Sequence, residues 1–130
     1  MNTLHLTLLF AGLCALLQFA LTVWVIVRRV QARVDLMDGG DKSLRQRIRA
    51  HGNFTETVPM GLILIALLEL HGLPTAWLVA LGTCLLLGRV LHATSLLTDG
   101  AFWSRCAGMV LTLILFSAGG VLCIGMFWGG

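Results

Sequence analysis

Tyrosine is absent from this 130-residue sequence, and charge is scarce: Asp, Glu, Lys and Arg make up 12%, against roughly 25% in a soluble domain. With 58% of the chain hydrophobic, that shortage excludes an ordinary water-soluble fold. Proline occurs only twice, as Pro59 and Pro74, so long helices meet few interruptions. The four cysteines, Cys14, Cys84, Cys106 and Cys123, form no CxxC or other metal-ligand spacing, so no metal site and no disulfide is expected. They read as small apolar side chains inside or beside hydrophobic runs. A cleavable signal is not expected either. The first stretch has no basic n-region, and its uncharged run exceeds the roughly 7–15 residues of an h-region.

Long apolar runs are what the sequence does have. Leu4 to Val27, about Ala50 to Leu70, Thr75 to Leu97 and about Arg105 to Trp128 each approach or exceed the roughly 20 residues of a spanning helix. Backbone groups in lipid must be satisfied within the segment, so four helices follow. The expected fold is an all-α integral membrane four-helix bundle, one domain over 1–130, with helices at about 4–31, 44–70, 75–97 and 104–128. Gly39-Gly40 breaks the first connection, and Ser43 is the expected N-cap of the second helix. "HGLP" (71–74) forms a tight turn and "TDGAFW" (98–103) the last connection. Pro59 is expected to kink helix two. Trp24, Trp77, Trp103 and Trp128 fall towards helix ends as an aromatic belt. Gly119, Gly120 and Gly125 are expected to permit close helix contact.

Charge is concentrated rather than spread. Seven of the nine Lys and Arg residues lie between Arg28 and Arg49. In a membrane protein this clustering is a topology signal, so no nucleic-acid partner is expected. It places the first loop in the cytoplasm and both termini on the opposite side. Arg49, Arg89 and Arg105 then all come near one membrane face.

The stretch "RAHGNFTETVP" (49–59) carries Arg49, Asn53 and Glu56 at i, i+4 and i+7, one helical face, which Arg45 extends. Arg89 and His92 share a face of helix three, and Arg105 opens helix four. Ionisable groups in a span cost several kcal/mol if unpaired and face an interior or a cavity. Two readings follow. One is an internal ion-pair network, Glu56 with Arg49 or Arg89, fastening the helices. The other is a polar pocket for an anionic ligand, favoured because one glutamate does not need three arginines. His5 and His71 read as interfacial, His51 as packing off the stripe, and Asp35, Asp38 and Asp41 as a solvated loop.

This set of features resembles the MAPEG family, membrane-associated proteins in eicosanoid and glutathione metabolism. The resemblance covers nearly the whole chain: four helices, a basic first loop, "RAHGNFTETVP" opening helix two and "GRVLHATSL" (88–96) in helix three. It implies a homotrimer that binds glutathione as co-substrate between subunits near the cytoplasmic face. By position, Arg49, Asn53 and Glu56 match the helix-two glutathione ligands, Arg89 and His92 match helix-three positions lining the same site, and Arg29 matches a further contacting arginine. Arg105 matches the arginine that stabilises the glutathione thiolate, a catalytic role. A lipophilic electrophile would then arrive from the bilayer, giving a glutathione transferase or peroxidase activity in the inner or plasma membrane of a bacterium.

Departures from the family pattern narrow that expectation. Leu96 stands at a helix-three tyrosine position, Val58 where an aromatic often stands, and Gly52 where some members have arginine. Cys106 stands where a serine can occur. These changes argue against specific eicosanoid synthesis. Two other classes remain open from the residues alone: a small proton-coupled multidrug transporter working through Glu56, and a non-catalytic membrane scaffold.

Overall fold

The structure, a computed structural model, describes residues 4–98, 100 and 102–129. Four helices follow one another: α1 (His5–Ala32), α2 (Lys42–Leu70), α3 (Thr75–Leu97) and α4 (Phe102–Gly129). All four are long and apolar enough to cross a membrane. The shortest, α3, has 23 residues and spans about 35 Å at the helical rise, enough for the hydrocarbon core. The expected boundaries hold to within two residues. Phe102 and Trp103, expected in the last connection, are instead the first residues of α4. Asp99 and Ala101 of that connection lie outside the described residues.

Packing makes α2 and α3 the inner pair. Helix α2 touches the other three, α3 packs most extensively on α4, and among the described residues α1 and α4 do not meet. The centre is filled by Leu21, Leu44, Ile65, Leu68, Leu85 and Leu115, all fully buried. Outside, the surface is as apolar as the core: Leu8, Leu16, Phe19, Leu113, Val121 and Ile124 are all exposed. A continuous belt of that kind fits lipid and not water. The exposed indoles divide between the ends, Trp24 and Trp103 beside the basic loop, Trp77 and Trp128 at the other.

The close helix contacts use different glycines from those expected. A Cβ on Gly108 would lie 2.6 Å from the Gly88 carbonyl oxygen, and one on Gly88 would lie 2.9 Å from the Gly108 carbonyl. Backbone cannot move aside cheaply, so this is where α3 and α4 approach most closely. Gly82 similarly accepts the Phe10 ring. Gly119 makes only ordinary contact with Leu64, and Gly120 and Gly125 face open space. A glycine permits close approach only where another element faces it, which periodicity on its own helix does not reveal.

The basic loop is tied by charge. The N-cap of α2 is Asp41, not Ser43: its carboxylate accepts from the Leu44 amide at 2.6 Å. It also pairs with Arg28 at 2.5 Å, while Asp38 pairs with Arg45. Arg45 and Arg28 hold the Asp38 and Asp41 carboxyls below the usual carboxylate range, with help from the Gly40 and Leu44 amides. Helix α2 runs through Pro59 without ending, so the expected kink does not divide the helix into two elements.

At the opposite end, α1 begins at Leu4 without a capping side chain of its own. Glu69, near the end of α2, supplies one. It accepts from the Leu6 and Thr7 amides, each at 2.8 Å, and from the Thr7 hydroxyl at 2.6 Å. A carboxylate there answers both the unsatisfied amides and the positive end of the helix dipole.

Candidate functional site

Arg89 sits at the middle of the polar cluster and is 3% exposed. Its guanidinium reaches two helices symmetrically. Nη1 donates to the Thr57 hydroxyl at 3.1 Å and the Asn53 carbonyl at 3.3 Å on α2. Nη2 donates to the Thr112 hydroxyl at 2.6 Å and the Gly108 carbonyl at 3.3 Å on α4. Each threonine in turn donates to the carbonyl four residues before it, Thr57 to Asn53 at 2.7 Å and Thr112 to Gly108 at 3.0 Å. The hydroxyl protons are thereby spent within their own helices, and the lone pairs are left for the cation. Four of the five guanidinium N–H groups are thus engaged without a carboxylate among the partners.

His92, one turn further along α3, is also buried. It lies against Gly108 of α4 and within electrostatic reach of Arg89, Arg105 and Arg49. Among the described residues the charges acting on it are all cationic. The half-buried Arg105 closes the cluster from the first turns of α4, and its Nε is buried without a hydrogen-bond partner among the described residues, as is the Nε of Arg89. Buried donors are nearly always paired, so this end of the bundle holds unspent donor capacity next to excess positive charge.

The α2 stripe lies on the outside of the subunit. Arg49 and Glu56 are exposed and Asn53 half-buried. The Asn53 amide nitrogen donates to the Arg49 carbonyl at 2.9 Å, which leaves its side-chain oxygen outward. Glu56 has no ion-pair partner among the described residues. The internal network of Glu56 with Arg49 or Arg89 is therefore not formed within one subunit, because Arg89 turns to threonine hydroxyls and backbone carbonyls. Glu56 stands about 21 Å along α2 from Lys42 by helical rise, at the middle of a helix long and apolar enough to cross a membrane.

The remaining candidates fall elsewhere. Arg29 turns back on its own loop, donating from Nη1 to the carbonyls of Val34, Asp35 and Met37 at 3.1–3.3 Å. It is not brought to the stripe within the subunit. Cys106 is half-buried beside Arg105. His51 bonds Gln18 of α1 at 2.9 Å, a packing contact off the stripe. Sequence reasoning missed Thr57, Thr112, Gly88 and Gly108, the frame that holds Arg89. The signal was present as a threonine four residues after Asn53 and another four after Gly108, which only a facing arginine makes meaningful.

Comparison with known proteins gives a family and two named relatives. Residues 7–125 match the sequence profile of the MAPEG family. The chain is 40% identical over 85 residues to "Inner membrane protein YecN" of Escherichia coli strain K12, and equally to its counterpart in strain O6:H1. Each match covers 65% of this chain and 64% of the relative, so the chain spans somewhat less than two thirds of those proteins. No solved structure matches it.

Proposed function

From the premise that the chain belongs to the MAPEG family, we propose that it is a glutathione-dependent enzyme of a bacterial inner membrane, conjugating glutathione through its sulfur to lipophilic electrophiles or reducing them. The carrying observation is the convergence of Arg49, Arg89 and Arg105 around His92, with no carboxylate acting on it among the described residues. Such a cluster suits an anion. Glutathione brings two carboxylates, an ammonium and a thiol. Arg49 clamps a carboxylate, Asn53 offers its side-chain oxygen to a peptide amide, and outward Glu56 takes the ammonium. Arg105 has a free donor for the sulfur; a cation there lowers the thiol pKa and raises the reactive thiolate fraction. Arg89 and His92 form the back wall, and Arg29 contributes from a neighbouring subunit. The electrophile enters from the bilayer.

A homotrimer belongs to the same reading. Arg49 and Glu56 face outward at membrane depth, and a second and third copy would cover them and complete the site. The basic first loop supports a cytoplasmic placement of that end. A proton-coupled transporter working through Glu56 is less well supported, since arginine shares its stripe and repels a cationic drug. A non-catalytic scaffold would bind no small anion.

Isothermal calorimetry of the detergent-solubilised protein with glutathione tests the reading. Saturable binding is expected, lost in Arg49→Ala and Glu56→Gln. A folded wild type that binds no glutathione overturns it.

A further inference from the structure

A cavity with both apolar and polar lining lies at the basic-loop end, apart from the stripe. It holds about 240 Å³ and is bounded by Trp24 of α1, Ser43, Gln46 and Arg47 of α2, and Leu97 and Thr98 at the end of α3. Arg47 is two residues from Arg49, about 200° around the helix at 3.6 residues per turn, so the two arginines serve different faces. We propose that this cavity binds the headgroup of an anionic phospholipid whose phosphodiester carries a polyol, of the phosphatidylglycerol class.

Charge, depth, size and lining chemistry each favour that occupant. Among the described residues Arg47 gives one hydrogen bond, from Nη1 to the Trp24 carbonyl at 2.8 Å, and a guanidinium has five donors to give. Among the described residues Asp41 acts on it electrostatically, and Arg28 and the Leu44 amide already hold that carboxylate. The surrounding segment adds to the field. Seven basic residues lie between 28 and 49 against three acidic ones, Asp35, Asp38 and Asp41, and two of the three are paired with arginines.

Depth is set by Trp24, one turn before Arg28 and 48% exposed. Interfacial indoles sit at headgroup level, so Arg47, bonded to that turn, stands where lipid phosphates lie. The cavity is several times the roughly 30 Å³ share of one water, so it takes a phosphodiester and its glycerol rather than a bare ion. Ser43 and Thr98 present hydroxyl oxygens and Gln46 an amide to the polyol, while Leu97 and the indole meet the start of the acyl chains. Basic pockets between helix ends on the anionic face of a membrane are suited to such lipids.

The test uses the full chain in nanodiscs of phosphatidylcholine alone, phosphatidylcholine with phosphatidylglycerol, and phosphatidylcholine with phosphatidylethanolamine. After transfer to detergent, native mass spectrometry counts lipid retained per subunit. About one phosphatidylglycerol per subunit is expected, with about fivefold weaker retention in Arg47→Gln, the effect of one arginine near an anionic surface. Ser43→Phe, which fills the cavity and keeps every charge, is expected to lose retention equally. Arg33→Gln, the same charge change outside the cavity, is expected to keep it. Circular dichroism in phosphatidylcholine discs checks that each variant is folded. Inorganic phosphate at millimolar concentration is expected not to displace the lipid; displacement would assign the cavity to a free anion and overturn the lipid. Equal loss in Arg47→Gln and Arg33→Gln, retention unchanged in Ser43→Phe, or equal retention of the zwitterionic lipids would also overturn the proposal.

Discussion

Two glutamates of α2, one at its end and one at its middle, are handled in opposite ways. At one end Glu69 accepts three hydrogen bonds from the first turn of α1, and the subunit finishes itself. Thirteen residues earlier, at the middle of α2, Glu56 is exposed with no ion-pair partner among the described residues. Structural polar groups in a membrane helix are paired at home. Those left unpaired need a partner from outside, and that difference separates fastening from function more clearly than residue type does.

The comparison can be broken most directly at Arg105. If the proposed glutathione activity holds, replacing it with alanine should lower that turnover about 100-fold or more, as loss of one preorganised donor to a developing anion does, with melting temperature nearly unchanged. A parallel fall in stability would mean that Arg105 belongs to the fastened end instead. The paired glutamates come next. Glu69→Ala should cost about 0.5–2 kcal/mol of folding stability and leave glutathione affinity intact, whereas Glu56→Ala should do the reverse; denaturant titration in micelles beside calorimetry reads both. Gly108→Ala sets a Cβ against the Gly88 carbonyl and disturbs the frame around Arg89, so stability and binding should fall together. Overpacking of this kind costs about 1–3 kcal/mol.

The smallest effect concerns pH. Asp38 and Asp41 have carboxyls held low by Arg45 and Arg28, so their support is present above the ordinary carboxylate range and is lost as pH falls through the depressed values. Hydrogen-exchange protection of the Leu44 amide should fall at acid pH in the wild type. In Asp41→Ala, which removes the accepting oxygen, it should already be low at neutral pH, and equal protection in the two proteins would remove Asp41 as the cap.

Much of this was legible in the sequence, because membrane spans are written in long apolar runs and the polar stripe interrupts one of them. Helix ends came within two residues. Three features were not legible, for one shared reason: each depends on what faces the residue from another part of the chain. Asp41 rather than Ser43 caps α2: the loop, tied by the Arg28–Asp41 pair, starts the helix two residues earlier. Gly88 and Gly108 matter because they face each other, while Gly120 and Gly125 meet nothing within the subunit. Glu69 looked like an ordinary residue at the end of an apolar run, since the amides it accepts from lie more than sixty positions away.

Arg89 bears on how the chain enters a bilayer. A ribosome delivers α3 before α4, and the guanidinium then has its α2 acceptors but not the Thr112 hydroxyl or the Gly108 carbonyl. A lone arginine at membrane depth is costly, so α3 gains from waiting in the translocon until α4 emerges and leaving with it as a hairpin.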